Sequence, residues 1–348
     1  MAENWAIVVG INEYENLSSL KYAQQDAEEI AAWFEKEAGF DEVFLFTNNS
    51  PAIKEVKSRQ YTVNPPISTT PTFGHLARIL ELIEELLVSP EDKLWFFFAG
   101  HGRQHAGKDY LILSDSSPRN LERTGISVDY VIEQLRNSRA DNVVLFLDAC
   151  RDDNKNNGSR SGSPGNSGIQ LKLRKGAITF YSCTDEERSW EIEELKHGSF
   201  TYALLKGLRN ANCFTVDDLY HYLYKHVPKI NTQYNKPIQT PDLKADPPQK
   251  MYMVLLKDSA TPQYIEELKS KANIAQREGN IQIAKQLWYR ILIVTPGDSD
   301  ATDAIERIDA KKKVIIQSPK APTNEPDIFD ISPFQKKIIW IALILLGL

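Results

Sequence analysis

The stretch KLWFFFAGHGRQ, residues 93–104, runs five bulky apolar residues into small ones around a single histidine, His101. An apolar run of this length, bounded by turn residues, fits a strand buried on both faces, as in parallel sheets covered by helices. His101 then stands just past the strand's carboxyl end, the edge at which open α/β sheets bind their ligands.

Working outward, similar runs recur at WAIVVGI (5–11), EVFLF (42–46), NVVLFLDAC (142–150), GAITFYSC (176–183) and MYMVLL (251–256). Between them, DAEEIAAWFEKEAG (26–39) and FGHLARILELIEELLV (73–88) return apolar residues at i+3 and i+4, the period of amphipathic helices. This alternation predicts an α/β fold, a mainly parallel sheet flanked by helices on both faces. The segment NKNNGSRSGSPGNSG (154–168) has no hydrophobic residue and reads as the centre of an exposed, flexible loop over 152–175.

After Leu256 the pattern turns helical, giving a small all-α region behind the sheet domain of residues 1–257. Leu268, Ala272, Ala275, Gly279, Ala284, Trp288, Ile291 and Pro296 fall at the spacings of one tetratricopeptide repeat. Residues 262–313 are therefore expected to form a tetratricopeptide-like helical hairpin, with a plain hairpin packed on the main domain as the alternative. Residues 314–335, rich in Pro and polar side chains, read as a linker. The last stretch, KKIIWIALILLGL (336–348), sets eleven uncharged, mostly apolar residues behind two lysines. A bilayer-spanning helix requires roughly 20 apolar residues, so this tail is either the start of a transmembrane helix or a short hydrophobic end. If it enters a membrane, the lysines favour the cytoplasmic side for what precedes them.

With 348 residues, 42% of them hydrophobic, the chain supports a sizeable core. A net charge of −6 argues against a general nucleic-acid binder, which would present a basic face to phosphates. Three cysteines, Cys150, Cys183 and Cys213, show no CxxC spacing, so neither a disulfide framework nor a zinc site is expected. The opening MAENWAIVVG carries no basic region or small-residue cleavage site, and a cytoplasmic location is expected.

The run NVVLFLDAC parallels the first: a buried strand whose polar end carries Asp148 and Cys150. Alone, His101 also reads as an ordinary loop residue and Cys150 as inert packing. Two strands ending at one sheet edge would instead bring a thiol and an imidazole together from distant parts of the sequence. A thiol titrates near 8.5, and a neighbouring imidazole raises its thiolate fraction and shuttles its proton. The backbone N–H groups of Gly102 and Cys150 are candidates for holding an oxyanion.

The "HG" of FFFAGHGRQ, followed at Cys150 by LFLDACRDD, resembles the caspase-like cysteine peptidases. Asp148 and Asp152 stand where animal caspases carry Gln and Gly. Together with the opening WAIVVGINEYENLSSLKYAQQDAEEI, the DAC form is similar to the metacaspases and their prokaryotic relatives, the orthocaspases, over roughly residues 5–255. The resemblance implies a caspase-like sheet and a catalytic dyad of His101 and Cys150 that cleaves peptide bonds through an acyl-enzyme. It implies cleavage after Arg or Lys in protein or peptide substrates, with Asp26 and Asp148 binding the basic side chain. Two carboxylates in a narrow pocket suit a guanidinium or ammonium; Asp26 also reads as a helix-first-turn acid favoured by the dipole. The resemblance further implies self-cleavage in the loop after the nucleophile, at Arg160, with Lys172, Arg174 and Lys175 as alternatives, and leans towards a monomer. Glu186, Glu187, Glu191, Glu193 and Glu194 cluster without EF-hand spacing, so no metal ligand or cofactor is assigned and calcium dependence stays open. The reading from another class is a caspase-fold signalling scaffold acting through partner binding.

Overall fold

The computed structural model describes residues 3–86, 92–140, 142–149, 176–184, 187–210, 213, 215–253, 255, 262–295 and 297–317. Cys150, Arg160, Lys172, Arg174, Lys175, Glu186 and Pro296, the loop over 152–175, most of the expected linker and the tail 336–348 lie outside them. The strands are β1 (Asn4–Gly10), β2 (Glu42–Phe46), β3 (Ile53–Val56), β4 (Tyr61–Ile67), β5 (Lys93–Gly100), β6 (Gly102–His105), β7 (Lys108–Leu111), β8 (Ile126–Ser127), β9 (Asn142–Ala149), β10 (Ala177–Tyr181), β11 (Glu191–Ile192), β12 (His197–Gly198) and β13 (Asp242–Ala245). The helices are α1 (Ala23–Lys36), α2 (Phe73–Leu86), α3 (Leu121–Thr124), α4 (Val128–Asn137), α5 (Ser199–Leu208), α6 (Val216–Gln233), α7 (Pro262–Arg277), α8 (Ile281–Val294) and α9 (Ser299–Gln317).

The central sheet has the order β13-β10-β9-β5-β1-β2, parallel throughout except for β13. The alternation of side chains along each strand divides its apolar residues between two faces. Trp5, Ile7, Val9, Phe96, Phe98, Leu145 and Leu147 join one core with α2 and α4. Ala6, Val8, Trp95, Phe97, Val144, Phe146 and Phe180 join the other with α1, α5 and α6. Runs with no polar gap are required because both faces are covered, and Trp5, Trp95, Phe96, Phe97 and Phe98 are at most 1% exposed.

The described residues of MYMVLL form no strand. A 3-10 turn covers Pro248–Tyr252, and the sheet edge is taken by β13, antiparallel to β10. Met253 instead accepts a hydrogen bond at its carbonyl from Val216 N–H at the start of α6, and Leu255 is buried in the second core. The apolar character of this run marks packing beneath the sheet, whereas Asp242–Ala245 at the edge is only half-buried and polar in sequence.

Among the described residues, the region from residue 262 holds three helices rather than two, and α9 reaches Gln317, past the expected linker boundary. Leu268, Ala272, Ala275, Ala284, Trp288 and Ile291 are buried in its own core together with Ala301, Ala304, Ile305 and Ile308 of α9. Gly279 sits between α7 and α8 at φ +81°, a conformation that favours glycine. This unit is pinned to α6 by Arg290, only 5% exposed. Its Nη2 donates to Thr215 Oγ1 at 3.0 Å, and its guanidinium lies 3.6 Å from Asp218 and 3.9 Å from Asp217. Tyr264 Oη donates to Asp218 Oδ2 at 3.2 Å. No helix among the described residues is long and apolar enough to cross a membrane.

Candidate active site

Strands β5 and β9 run side by side in parallel, with Gly100 opposite Ala149. His101 follows the first directly, and Cys150 is the next residue in sequence after the second. A cleft of about 350 Å³ opens at this carboxyl edge, and His101, Gly102, Asp26, Asp148 and Gly198 all line it. Of the residues singled out from sequence, the structure therefore brings together His101, Gly102, Asp26 and Asp148.

His101 is held on three sides. Its backbone N–H donates to Tyr14 Oη at 2.8 Å, its carbonyl accepts from Ile112 N–H at 2.9 Å, and its ring lies 4.7 Å from that of Tyr14. The close approach of Tyr14 depends on Gly100, where a Cβ would stand 2.6 Å from the Tyr14 hydroxyl. On the imidazole, Nε2 lies 2.8 Å from the carbonyl oxygen of Ser18. A carbonyl only accepts, so Nε2 carries the proton and Nδ1 presents the lone pair in the neutral ring. Gly102 sits opposite Leu111 in the non-hydrogen-bonded register of the β6–β7 pair, so its N–H is not spent on that ladder.

Asp148, at the end of β9, is 6% exposed and Asp26, in the first turn of α1, is 2% exposed. Asp148 Oδ1 accepts from Ser189 Oγ at 2.5 Å, and Oδ2 accepts from the Thr201 hydroxyl at 2.6 Å and Thr201 N–H at 3.2 Å. Asp26 Oδ2 accepts from Gly198 N–H at 2.9 Å, and its Oδ1 lies 2.6 Å from His197 Nδ1. The two carboxylates converge on Gly198: a Cβ there would stand 2.7 Å from Asp148 Oδ2 and 3.0 Å from Asp26 Oδ2. Burial pushes the Asp26 carboxyl up to about 7, partly offset by its bond to His197, and the Asp148 charge adds to the rise. Burial raises Asp148 as well, against its bonds from Ser189 and Thr201.

Asp26 does not cap its helix. The open N–H groups at the start of α1 are taken from elsewhere in the chain: Glu191 accepts from Lys21 N–H and Tyr22 N–H, and Asn12 Oδ1 accepts from Gln24 N–H. Glu187 likewise binds the N–H and hydroxyl of Thr240, and Glu193 pairs with Lys21. These acids fasten loops around the cleft. Among the described residues no group of three or more His, Cys, Asp and Glu side chains is arranged to hold a metal ion.

The support beneath the carboxylates is absent from the sequence reading. Gln239, fully buried, accepts at Oε1 from Trp190 N–H, the Ser199 hydroxyl and Asn231 Nδ2, and donates from Nε2 to Ser182 O and Ser189 Oγ. It thereby fixes the serine that binds Asp148. His197 escapes that reading too, since it lies 171 residues from its partner Asp26 with no periodic pattern around it.

The caspase domain matches residues 3–252. The "Paracaspase" of Dictyostelium discoideum is 30% identical over 138 residues, covering 38% of this chain and 31% of that protein, so the chain spans about a third of the length of this curated relative. Among solved structures, protein GSU0716 from Geobacter sulfurreducens aligns at 16% identity over 70% of this chain and 93% of that one, with a TM-score of 0.45. Caspase-1 from Spodoptera frugiperda aligns at 14% identity over 70% and 86%, also with a TM-score of 0.45. With a histidine poised at the carboxyl edge of the sheet and the caspase domain matched over residues 3–252, the chain belongs to the caspase family of cysteine peptidases.

Proposed function

We propose that the chain is a cysteine endopeptidase that cleaves after Arg or Lys, with Cys150 as nucleophile and His101 as its base. The observation that carries this reading is the pair of buried carboxylates, Asp26 and Asp148, in the same cleft as His101. A cation is the natural guest of two carboxylates held apart from water, and an acidic side chain is repelled there. Asp26 keeps Oδ1 and Oδ2 each partly committed to one donor, which leaves acceptor capacity for a planar guanidinium.

The chemistry follows from the tautomer of His101. The Cys150 Sγ–H proton passes to Nδ1, the thiolate attacks the scissile carbonyl carbon, and the oxyanion takes N–H groups from Gly102 and Cys150. The imidazolium then returns that proton to the leaving amine, and the acyl-enzyme remains. Water, deprotonated by the same Nδ1, releases the acid and restores the thiol. Because Nε2 is engaged with Ser18 O, the ring stays oriented through both transfers.

Self-cleavage at Arg160 and a tetratricopeptide-like role for 262–313 belong to the same proposal, the first supported by an Arg in a polar stretch of sequence and the second by the spacing of buried small residues in α7 and α8. The test is hydrolysis of fluorogenic peptides ending in Arg, Lys and Asp by the intact chain and by Cys150→Ala. Arg and Lys cleavage lost in the variant is expected, with no Asp cleavage. A folded chain that cleaves none of the three would favour the scaffold reading.

A further inference from the structure

Behind the pocket that would receive a basic side chain, one of its carboxylates is bound to a histidine. The His197 ring, 7% exposed, lies between two carboxylates, with Nδ1 at 2.6 Å from Asp26 Oδ1 and Nε2 at 3.2 Å from Glu29 Oε1. An ionised carboxylate only accepts, so satisfying both contacts takes a proton on each ring nitrogen, or one on a carboxyl group. In either case the chain Asp26–His197–Glu29 carries one proton more than a neutral imidazole with two carboxylates. Its inner end is a pocket carboxylate, and its outer end, Glu29, is 42% exposed at the side chain.

We propose that His197 is a specificity-determining positioning residue of the basic pocket: it orients Asp26 and holds a resident proton that a substrate's Arg or Lys side chain displaces. This rests on the reading of Asp26 and Asp148 as the basic pocket. Asp26 Oδ2 faces Gly198 N–H, so the ring bond at Oδ1 sets how the rest of the carboxylate is presented. A guanidinium arriving at Asp26 puts a second positive charge beside the imidazolium. The proton then leaves His197 through Nε2 and Glu29 to solvent, no bond to carbon being made or broken. Substrate cation and proton are thus antagonists for one carboxylate, and by linkage the antagonism is reciprocal.

The surroundings of the ring allow this. The charged and titratable groups facing it are Asp26 and Glu29 on α1, Asp148 at the end of β9, and Tyr202 on α5, whose ring centroid is 6.0 Å away. The first three are acids, and the hydrogen bond to Asp26 with the charges of Asp26, Glu29 and Asp148 raises His197 against its burial. Above the titration range the pocket presents its full negative charge; below it, the proton offsets part of that charge.

The experiment measures binding of an Arg-ended and an Asp-ended labelled peptide to the full chain carrying Cys150→Ala, which removes turnover, from pH 8 to pH 6. We expect Arg-peptide affinity to fall at least about fivefold over that range, the lower end of ordinary coupling between sites. Adding His197→Gln, which retains an N–H donor but not the ring's titration, should reduce the dependence to what the Asp26 carboxyl alone contributes. Glu29→Gln, at an accessible helix position, should move it to lower pH without unfolding the chain. An Arg peptide bound more tightly than the Asp peptide but with the same pH dependence in all three chains overturns the inference and leaves the pocket reading standing. His197→Gln weakening binding equally at every pH would show a structural role only, and also overturns it. If the Arg peptide binds no better than the Asp peptide, the pocket reading itself fails, and this inference with it.

Discussion

Replacing Gly198 by Ala tests the pocket with one methyl group. Gly198 is the N-cap of α5, at φ −63° and ψ 138°, a conformation that alanine adopts without strain. The added Cβ stands 2.7 Å from Asp148 Oδ2 and 3.0 Å from Asp26 Oδ2, whereas ordinary contact begins at 3.4 Å. Neither oxygen is free to retreat, since Thr201 holds the first through two hydrogen bonds and the backbone N–H of residue 198 holds the second. Overpacking of this kind costs about 1–3 kcal/mol of folding stability. A guanidinium that loses one charge-assisted hydrogen bond forfeits about 1.5–3 kcal/mol, or about ten- to a hundredfold in kcat/KM. The assay is kcat/KM on an Arg-ended fluorogenic peptide, with Tm measured on the same preparation. A Gly198→Ala chain that cleaves the Arg peptide within about twofold of the parent would refute the placement of the basic side chain between these carboxylates.

Asp26→Asn replaces a buried charge with a neutral isostere that can still accept from Gly198 N–H; Arg-peptide hydrolysis should be lost while Tm at pH 8 holds or rises. The folded state keeps protons on Asp26 and His197 that the unfolded chain releases, because both are raised. Their contribution to stability is therefore present at low pH and falls as pH rises, from about 4 towards 7 for Asp26 and through the folded value of His197 above 6.5. Melting curves of the Cys150→Ala chain at pH 6 and pH 8 should show the lower Tm at pH 8, with a smaller gap in Asp26→Asn. Tyr14→Phe removes the acceptor of His101 N–H and should cost about 1–3 kcal/mol of stability together with a fall in kcat rather than a rise in KM. Gln239→Ala strands donors and acceptors on Trp190, Ser199, Asn231 and Ser189 and should cost about 2–4 kcal/mol in denaturant melts.

The strands β1, β2, β5, β9 and β10 are legible in the sequence because burial on both faces writes an unbroken apolar run. His101 and Asp148 are legible because they follow or close two such runs at one sheet edge. The pocket partner Asp26 comes from the resemblance and not from its helix, where it looks like any first-turn acid. The edge strand β13 escapes notice because a short, half-buried strand at a sheet edge carries polar residues, and MYMVLL passes for a strand because apolarity alone does not separate a strand from a segment packed under one. His197, Gln239, Ser189 and Thr201 act mainly through contacts between segments far apart in sequence, and such contacts leave no period to read.

The fastening of the helical unit to α6 bears on where the chain can be divided. Arg290 and Tyr264 both reach the residues that cap α6, Thr215 and Asp218, and α6 packs on α5, whose first turn supplies Thr201 to Asp148. A recombinant fragment ending near residue 257 would keep every pocket residue but lose these two partners, leaving Asp217 and Asp218 side by side at the head of a helix. Such a fragment would need solvent to replace a buried guanidinium, so the sensible unit for expression and crystallisation runs through α9.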